Sequence, residues 1–226
     1  MSDEPTLPPP PRIEIPLLPD GMSLSEAHRR SPRHELLDNS GEAAPWPPNT
    51  VSLVGGPQFL HAFFEVAAEP PLRLAARHPQ DRVYEDDCVE LFVGDPDEPH
   101  RYLELVVNAE GLHYAARVNN PEGNRASWSL VAGVPVPGLV VVVRGEPAGA
   151  LPTSFHAWRC WMAVPWTALH GDGEAPKPGS ERRGNAFRIA RGTALRHEAL
   201  SPTGRTSPPD FHVPVRFATW VFRQFG

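Results

Sequence analysis

Twenty-nine of the 226 residues are proline, and their placement constrains the fold more than any other feature. Proline has no N–H to donate and its ring clashes with the preceding helical turn, so it is excluded from helix interiors and central strands. The prolines break the chain into short pieces at "APWPPNT", "AEPPLRL", "GDPDEPHR", "VPVPG" and "TSPPDFHVP". Between these breaks the apolar residues recur at every second position. "FLHAFFEV" places Leu60, Ala62, Phe64 and Val66 on one side, and "RYLELVVN" sets Leu103, Leu105 and Val107 against Tyr102, Glu104 and Asn108. "GLHYAARV" returns with Leu112, Tyr114, Ala116 and Val118, and the intervening "NAEG" reads as a hairpin turn. A period of two belongs to strands.

The run "LVVVV" at 139 to 143 predicts a strand covered on both faces, and "HAWRCWMAV", "NAFRIARG" and "VRFATWVF" complete a set of about ten short strands. The predicted fold is therefore all-β, an antiparallel β-sandwich of jelly-roll or immunoglobulin-like type. Helix is expected only in "SLSEAHRR" and in "PWTALH" at 165 to 170, and "HGDGE" at 170 to 174 reads as a turn. The opening "PTLPPPPRIEIPLLP" reads as an extended arm that cannot form a helix or a central strand. The expected division is an arm over residues 1–49, packed on or flanking a sandwich over residues 50–226.

A formal charge of −6 argues against a general polyanion binder, so no nucleic-acid partner is expected. From Lys177 onward nine basic residues face three acidic ones, but twenty of the chain's twenty-one basic residues are Arg, which reads as a habit of composition. No run approaches the roughly 18 consecutive apolar residues of a membrane span. The first residues show neither a basic nor an apolar signal region, which predicts a cytoplasmic product with no membrane partner. Cys88 and Cys160 each fall inside a strand pattern and read as small buried thiols.

Known catalytic signatures are missing: there is no Gly-x-Ser-x-Gly, no phosphate-cradling glycine loop, no His-Glu-x-x-His and no spaced Cys/His set. The specific segment is "VYEDDCVELFV" at 83 to 93. Alternation puts Val89, Leu91 and Val93 toward a core and turns Glu90 away from it, with Cys88 and Phe92. Asp86 reads as a strand-end cap.

Tyr84 is followed six residues later by Glu90, with Asp87, Val89 and Phe92 forming "D-x-V-E-h-F", where h is apolar. "RYLELVVNAEG", "WMAVPW", "GSERRGNAFR" and the stretch from Phe211 to Phe217 follow in order. Together these five elements resemble family 9 carbohydrate-binding modules and their DOMON-like β-sandwich relatives over about residues 50–226. The resemblance implies a non-catalytic protein that holds a saccharide or polyol between two aromatics, here Tyr84 and Phe211. It implies that Glu90 accepts hydrogen bonds from sugar hydroxyls, with Asp87 in the same binding set. If "RYLELVVN" pairs nearby, strand alternation brings Glu104 on its polar side, and Arg188 from "NAFRIA", to the border of the same concavity. The resemblance further implies structural calcium, toward which the acids here show no recognisable loop. The family places an Arg where this chain has Val106 and amides where it has Ala190 and Pro208, so several rim donors are missing.

Other classes stay open from sequence. Glu90 and Glu104 on neighbouring strands could serve glycoside hydrolysis, which needs two carboxyls with separated pKa values. A partner chain could meet the arm and the sheet edge. A haem-binding redox module would need Met162 as its sulfur ligand, although Met162 sits in a core pattern.

Overall fold

Each window of alternation forms a strand. The structure, a computed structural model, describes residues 7–44, 47–169 and 173–226. Parts of the expected arm (1–6 and 45–46) and of the expected turn and helix at 165–174 (170–172) lie outside the described residues. In chain order the strands are β1 (Arg12–Leu17), β2 (His34–Glu35), β3 (Leu37–Asp38), β4 (Thr50–Gly55), β5 (Phe59–Ala67), β6 (Cys88–Gly94) and β7 (Arg101–Asn108). They continue as β8 (His113–Asn119), β9 (Ser129–Ala132), β10 (Val140–Glu146), β11 (Ala157–Pro165), β12 (Glu181–Arg191), β13 (Leu195–Ala199) and β14 (Ala218–Gln224). One α-helix, α1 (Leu24–Arg30), begins where the Ser23 hydroxyl accepts from the Glu26 amide at 3.2 Å. "PWTAL" makes only a 3₁₀ turn, Trp166–Ala168.

The all-β expectation holds, but the arrangement differs from an antiparallel sandwich of about ten strands. One hydrogen-bonded path runs β10-β11-β5-β4-β1-β14-β12-β6-β7-β8-β9, with β13, β2 and β3 attached beside it. It is mixed, because β1 lies parallel to both β14 and β4. The sheet curls so that its two wings enclose one core. Leu53, Leu60, Phe64 and Met162 come from one wing, Val89, Leu91, Leu103 and Leu105 from the other, and Trp158 and Trp220 fill between them.

Two local expectations are corrected. The proline arm does supply a central strand: β1 sits between β4 and β14 and buries Ile13 and Ile15. Alternate residues of β1 address opposite neighbours. The Leu18 amide donates to Gly55 on the β4 side and the Pro11 carbonyl accepts from Thr219 on the β14 side, so Pro16 points toward β4. There β1 makes a single paired position, Leu17 with Gly55, and a missing N–H costs little. The valine run is not covered on both faces either. It forms β10, an edge strand in which Val140 and Val142 are exposed while Val141 and Val143 pack on the core.

Where β12 passes between β14 and β6, Gly184 lets the layers approach. A Cβ there would lie 2.4 Å from the Trp220 ring and 2.8 Å from the Phe92 carbonyl. Gly184→Ala is therefore expected to cost about 1–3 kcal/mol through overpacking, seen as a lower denaturant midpoint with an unchanged slope.

Candidate functional site

β6 is buried along its whole length, and its two faces do different work. Val89, Leu91 and Val93 belong to the main core. The opposite face, continued by β7, β8 and β12, carries a second apolar cluster containing Cys88, Phe92, Tyr102, Val106, Tyr114, Phe187 and Phe211. Two acids interrupt it. Glu90 pairs in register with Val106 and Phe92 with Glu104, which makes the acids diagonal neighbours on one face, roughly 7 Å apart at the backbone. Glu90 is 3% exposed and Glu104 4% exposed.

Both acids open onto a cavity of about 450 Å³ that Tyr84, Trp128, Phe211 and His212 also line, with Arg125 and Arg191 at its rim. Tyr84 projects from the 3₁₀ turn Val83–Glu85 and stands edge-on to Tyr114 at 5.4 Å. The Arg191 guanidinium donates to the Tyr84 carbonyl at 3.2 Å. Phe211 lies flat on Phe187, centroids 4.1 Å apart, and keeps only 6% exposure. Trp128, half-buried, stands edge-on to His212 at 4.7 Å and stacks under the Arg125 guanidinium. Arg125 reaches across to Asp210 at 3.0 Å, which ties the loop after β8 to the loop before β14.

Burial governs the electrostatics. It holds the Glu90 carboxyl well above the usual carboxylate range, and repulsion from Glu104 adds to the rise. Burial also pushes Glu104 up to about 8 against the pull of Arg125. Its Oε2 is buried with no hydrogen-bond partner. His212 is pushed down to about 3 by burial and then by Arg125, so its ring is neutral, sharing a 2.7 Å hydrogen bond with the Tyr102 hydroxyl. The cavity thus offers protonated carboxyls, which donate as well as accept, between aromatic walls.

Of the six residues singled out from sequence, Tyr84, Glu90, Glu104 and Phe211 meet at this cavity. Asp87 and Arg188 do not line it. Arg188 pairs in register with Val89 and projects into the main core, over the Trp158 ring at 5.4 Å. There it forms a buried ion pair with Asp87 and donates to the Cys88 carbonyl at 3.2 Å. The other Asp87 oxygen accepts from the amides of Arg73 and Arg191. Asp86 is the strand-end acceptor it was expected to be, taking the Ala75 amide at 2.6 Å and the Asn108 amide group at 2.9 Å. Asp86 and Asp87, two of the acids considered for calcium, are thus committed to backbone and side-chain donors. Among the described residues no cluster of three His, Cys, Asp or Glu could hold a metal ion. Met162 is core, and Cys88 and Cys160 are buried free thiols.

The family model for carbohydrate-binding family 9 matches residues 59–222. The chain belongs to carbohydrate-binding family 9. The fold of this family 9 chain is similar to that of a protein from Bacteroides uniformis assigned as carbohydrate-binding, with a TM-score of 0.69 at 20% identity. That match covers 95% of this chain and 100% of the other. It is similar also to a family 9 module from Caldicellulosiruptor kristjanssonii. The complex of that module with glucose gives a TM-score of 0.58 at 13% identity, covering 95% of this chain and 97% of the other. Its complex with cellotriose gives 0.60 at 13% identity, covering 95% of each chain. A search of curated protein sequences finds no match.

Sequence reasoning missed Trp128, Arg125 and Arg191. A tryptophan inside "GNRASWSL" stands among turn formers with no alternation to bury it, and that was the available signal. Where Val106, Ala190 and Pro208 offer no side-chain donor, Arg125 and Arg191 bring guanidinium groups to the cavity from other positions.

Two outcomes follow for this family 9 chain. Removing one partner of the buried ion pair leaves the other charge uncompensated, so Asp87→Ala should lose about 3–5 kcal/mol of stability in urea titration. Glu104 has a raised folded pKa, so its contribution to stability is complete below the ordinary carboxylate value and falls as pH climbs toward 8. Glu104→Gln should match the wild type near pH 4 and exceed it by about 1–3 kcal/mol at pH 8, measured as urea midpoints across that range.

Proposed function

We propose that this protein binds a saccharide, with the ring stacked on Tyr84 and Trp128, Phe211 backing the wall, and Glu90 and Glu104 hydrogen-bonded to hydroxyls. The observation that carries this reading is the unpartnered, buried Glu104 oxygen at a cavity with two half-exposed aromatics beside it. A sugar has apolar C–H faces that suit flat rings and hydroxyls around its edge that suit a carboxyl group. The cavity is within the range of small-ligand sites. Glucose and cellotriose, bound by the similar Caldicellulosiruptor module, are the first ligands to try. This reading sets a Tyr84–Trp128 platform in place of the Tyr84–Phe211 clamp expected from sequence, because Phe211 is buried whereas Tyr84 and Trp128 are half-buried. The two wings of the curled sheet are read as the two layers of the β-sandwich expected for this family.

Paired carboxyls also serve glycosidases, but each such mechanism requires one ionised carboxylate as base or nucleophile. Here burial pushes both upward, which favours holding a sugar over cleaving it.

Calorimetry against glucose, cellotriose and a broad panel of neutral saccharides tests the reading. Tyr84→Ala and Trp128→Ala should each weaken binding about tenfold or more, a loss of about 1.4 kcal/mol. Binding that survives both substitutions, or no binding across the panel by folded protein, would sink it.

A further inference from the structure

The opposite wing carries an aromatic surface that the Glu90 cavity does not use. On β5 and β11 the residues facing away from the core include His61, Phe63 and Trp161, and α1 lays His28 beside them. Phe63 and Trp161 are direct cross-strand partners, with rings 9° from parallel at 6.2 Å. His28 stacks on Phe63 at 4.0 Å, and His61 continues the row beside Trp161 at 5.9 Å. Burial lowers the pKa of His28 and brings that of His61 to about 4, so both rings stand neutral beside the aromatic pair. Phe63 and Trp161 are only half-buried, and a cleft of about 550 Å³ lies over them between α1 and the edge strand β10.

The rim is charged and unbalanced. Arg159 contacts Glu146 at 3.1 Å and Glu65 at 3.5 Å, and Arg33 takes Glu65 at 2.8 Å. Arg144, exposed on β10, stands directly opposite Arg159 in the ladder and makes no hydrogen bond or ion pair among the described residues. Arg159 is met by those two carboxylates, which leaves Arg144 as the guanidinium free to receive an anion. A guanidinium also receives a carboxylate through two parallel hydrogen bonds. Flat apolar floor and cationic rim together fit a ring with an apolar face and an acidic substituent.

We propose that the cleft over Phe63 and Trp161 is a second binding site that takes an acidic sugar ring, a hexuronate, with the ring on Trp161 and the carboxylate on Arg144. It lies on the other wing from the Glu90 cavity and does not depend on the function proposed for that cavity.

The test follows the Trp161 indole N–H resonance in proton–nitrogen correlation spectra, assigned by its loss in Trp161→Phe, during titration with trigalacturonate and with its methyl ester. The resonance should shift and saturate with the acid. The ester and the Arg144→Glu variant should each bind at least tenfold more weakly, and the response should persist in Tyr84→Ala. No Trp161 response to the acid, an equal response to the ester, or an unchanged response in Arg144→Glu overturns the proposal. Loss of the response in folded Tyr84→Ala overturns its independence from the other cavity and with it the second site.

Discussion

A strand buried on both faces leaves no water for what it carries, and β6 is such a strand. Its Val89, Leu91 and Val93 face closes the main core, so its register cannot slip by one residue without turning Glu90 into hydrocarbon. With that register fixed, Glu90 must sit in the second cluster beside Glu104. Two carboxyls held there out of bulk water cannot both be charged without help. Protonation supplies part of that help, and Arg125 the rest from the rim. The site's electrostatics thus follow from the packing of the opposite face of the same strand.

Alternation made much of this legible. The inward set Leu60, Ala62, Phe64 and Val66 is fully in the core, and Glu90 with Phe92 lies on the far side of β6 as parity requires. Parity fails where both faces of a strand carry apolar residues. β12 reads Ala186, Arg188, Ala190 on one side and Asn185, Phe187, Ile189 on the other, so alternation alone does not decide which side faces the core. The guanidinium went inward because Asp87 and three carbonyl or ring partners wait there, and that pairing spans about a hundred residues. β10 misled for the opposite reason. Four consecutive valines satisfy any strand position, and only the topology shows that β10 ends the sheet. β1 shows that proline forbids a fully paired strand, not every interior one.

Trp128 and Arg125 escaped the reading by alternation for a further reason. They lie on the long connection between β8 and β9, where no periodicity governs placement, and they are held by contacts to another loop. Asn120 donates to the His212 carbonyl at 2.8 Å, its Oδ1 accepts the Asn124 amide, and Arg125 takes Asp210. Such side-chain to backbone ties fix a loop as firmly as a ladder, but composition does not announce them.

The cavity is consequently built from unlike parts. Its floor, Glu90 and Glu104, stands on paired central strands and is set within the tolerance of a sheet. Its walls, Tyr84, Trp128 and His212, stand on a short turn and two mutually braced loops. If the site holds a sugar as proposed, the unsatisfied oxygen on this floor would select for the position of a donor on the ligand, because leaving that oxygen unmet costs more than a hydrogen bond returns. On that reading the braced walls meet the faces of the ring and say little about its hydroxyls. On the proposed reading, discrimination would rest on where hydroxyls lie relative to the two carboxyls, while the aromatic pair would supply affinity common to many sugars.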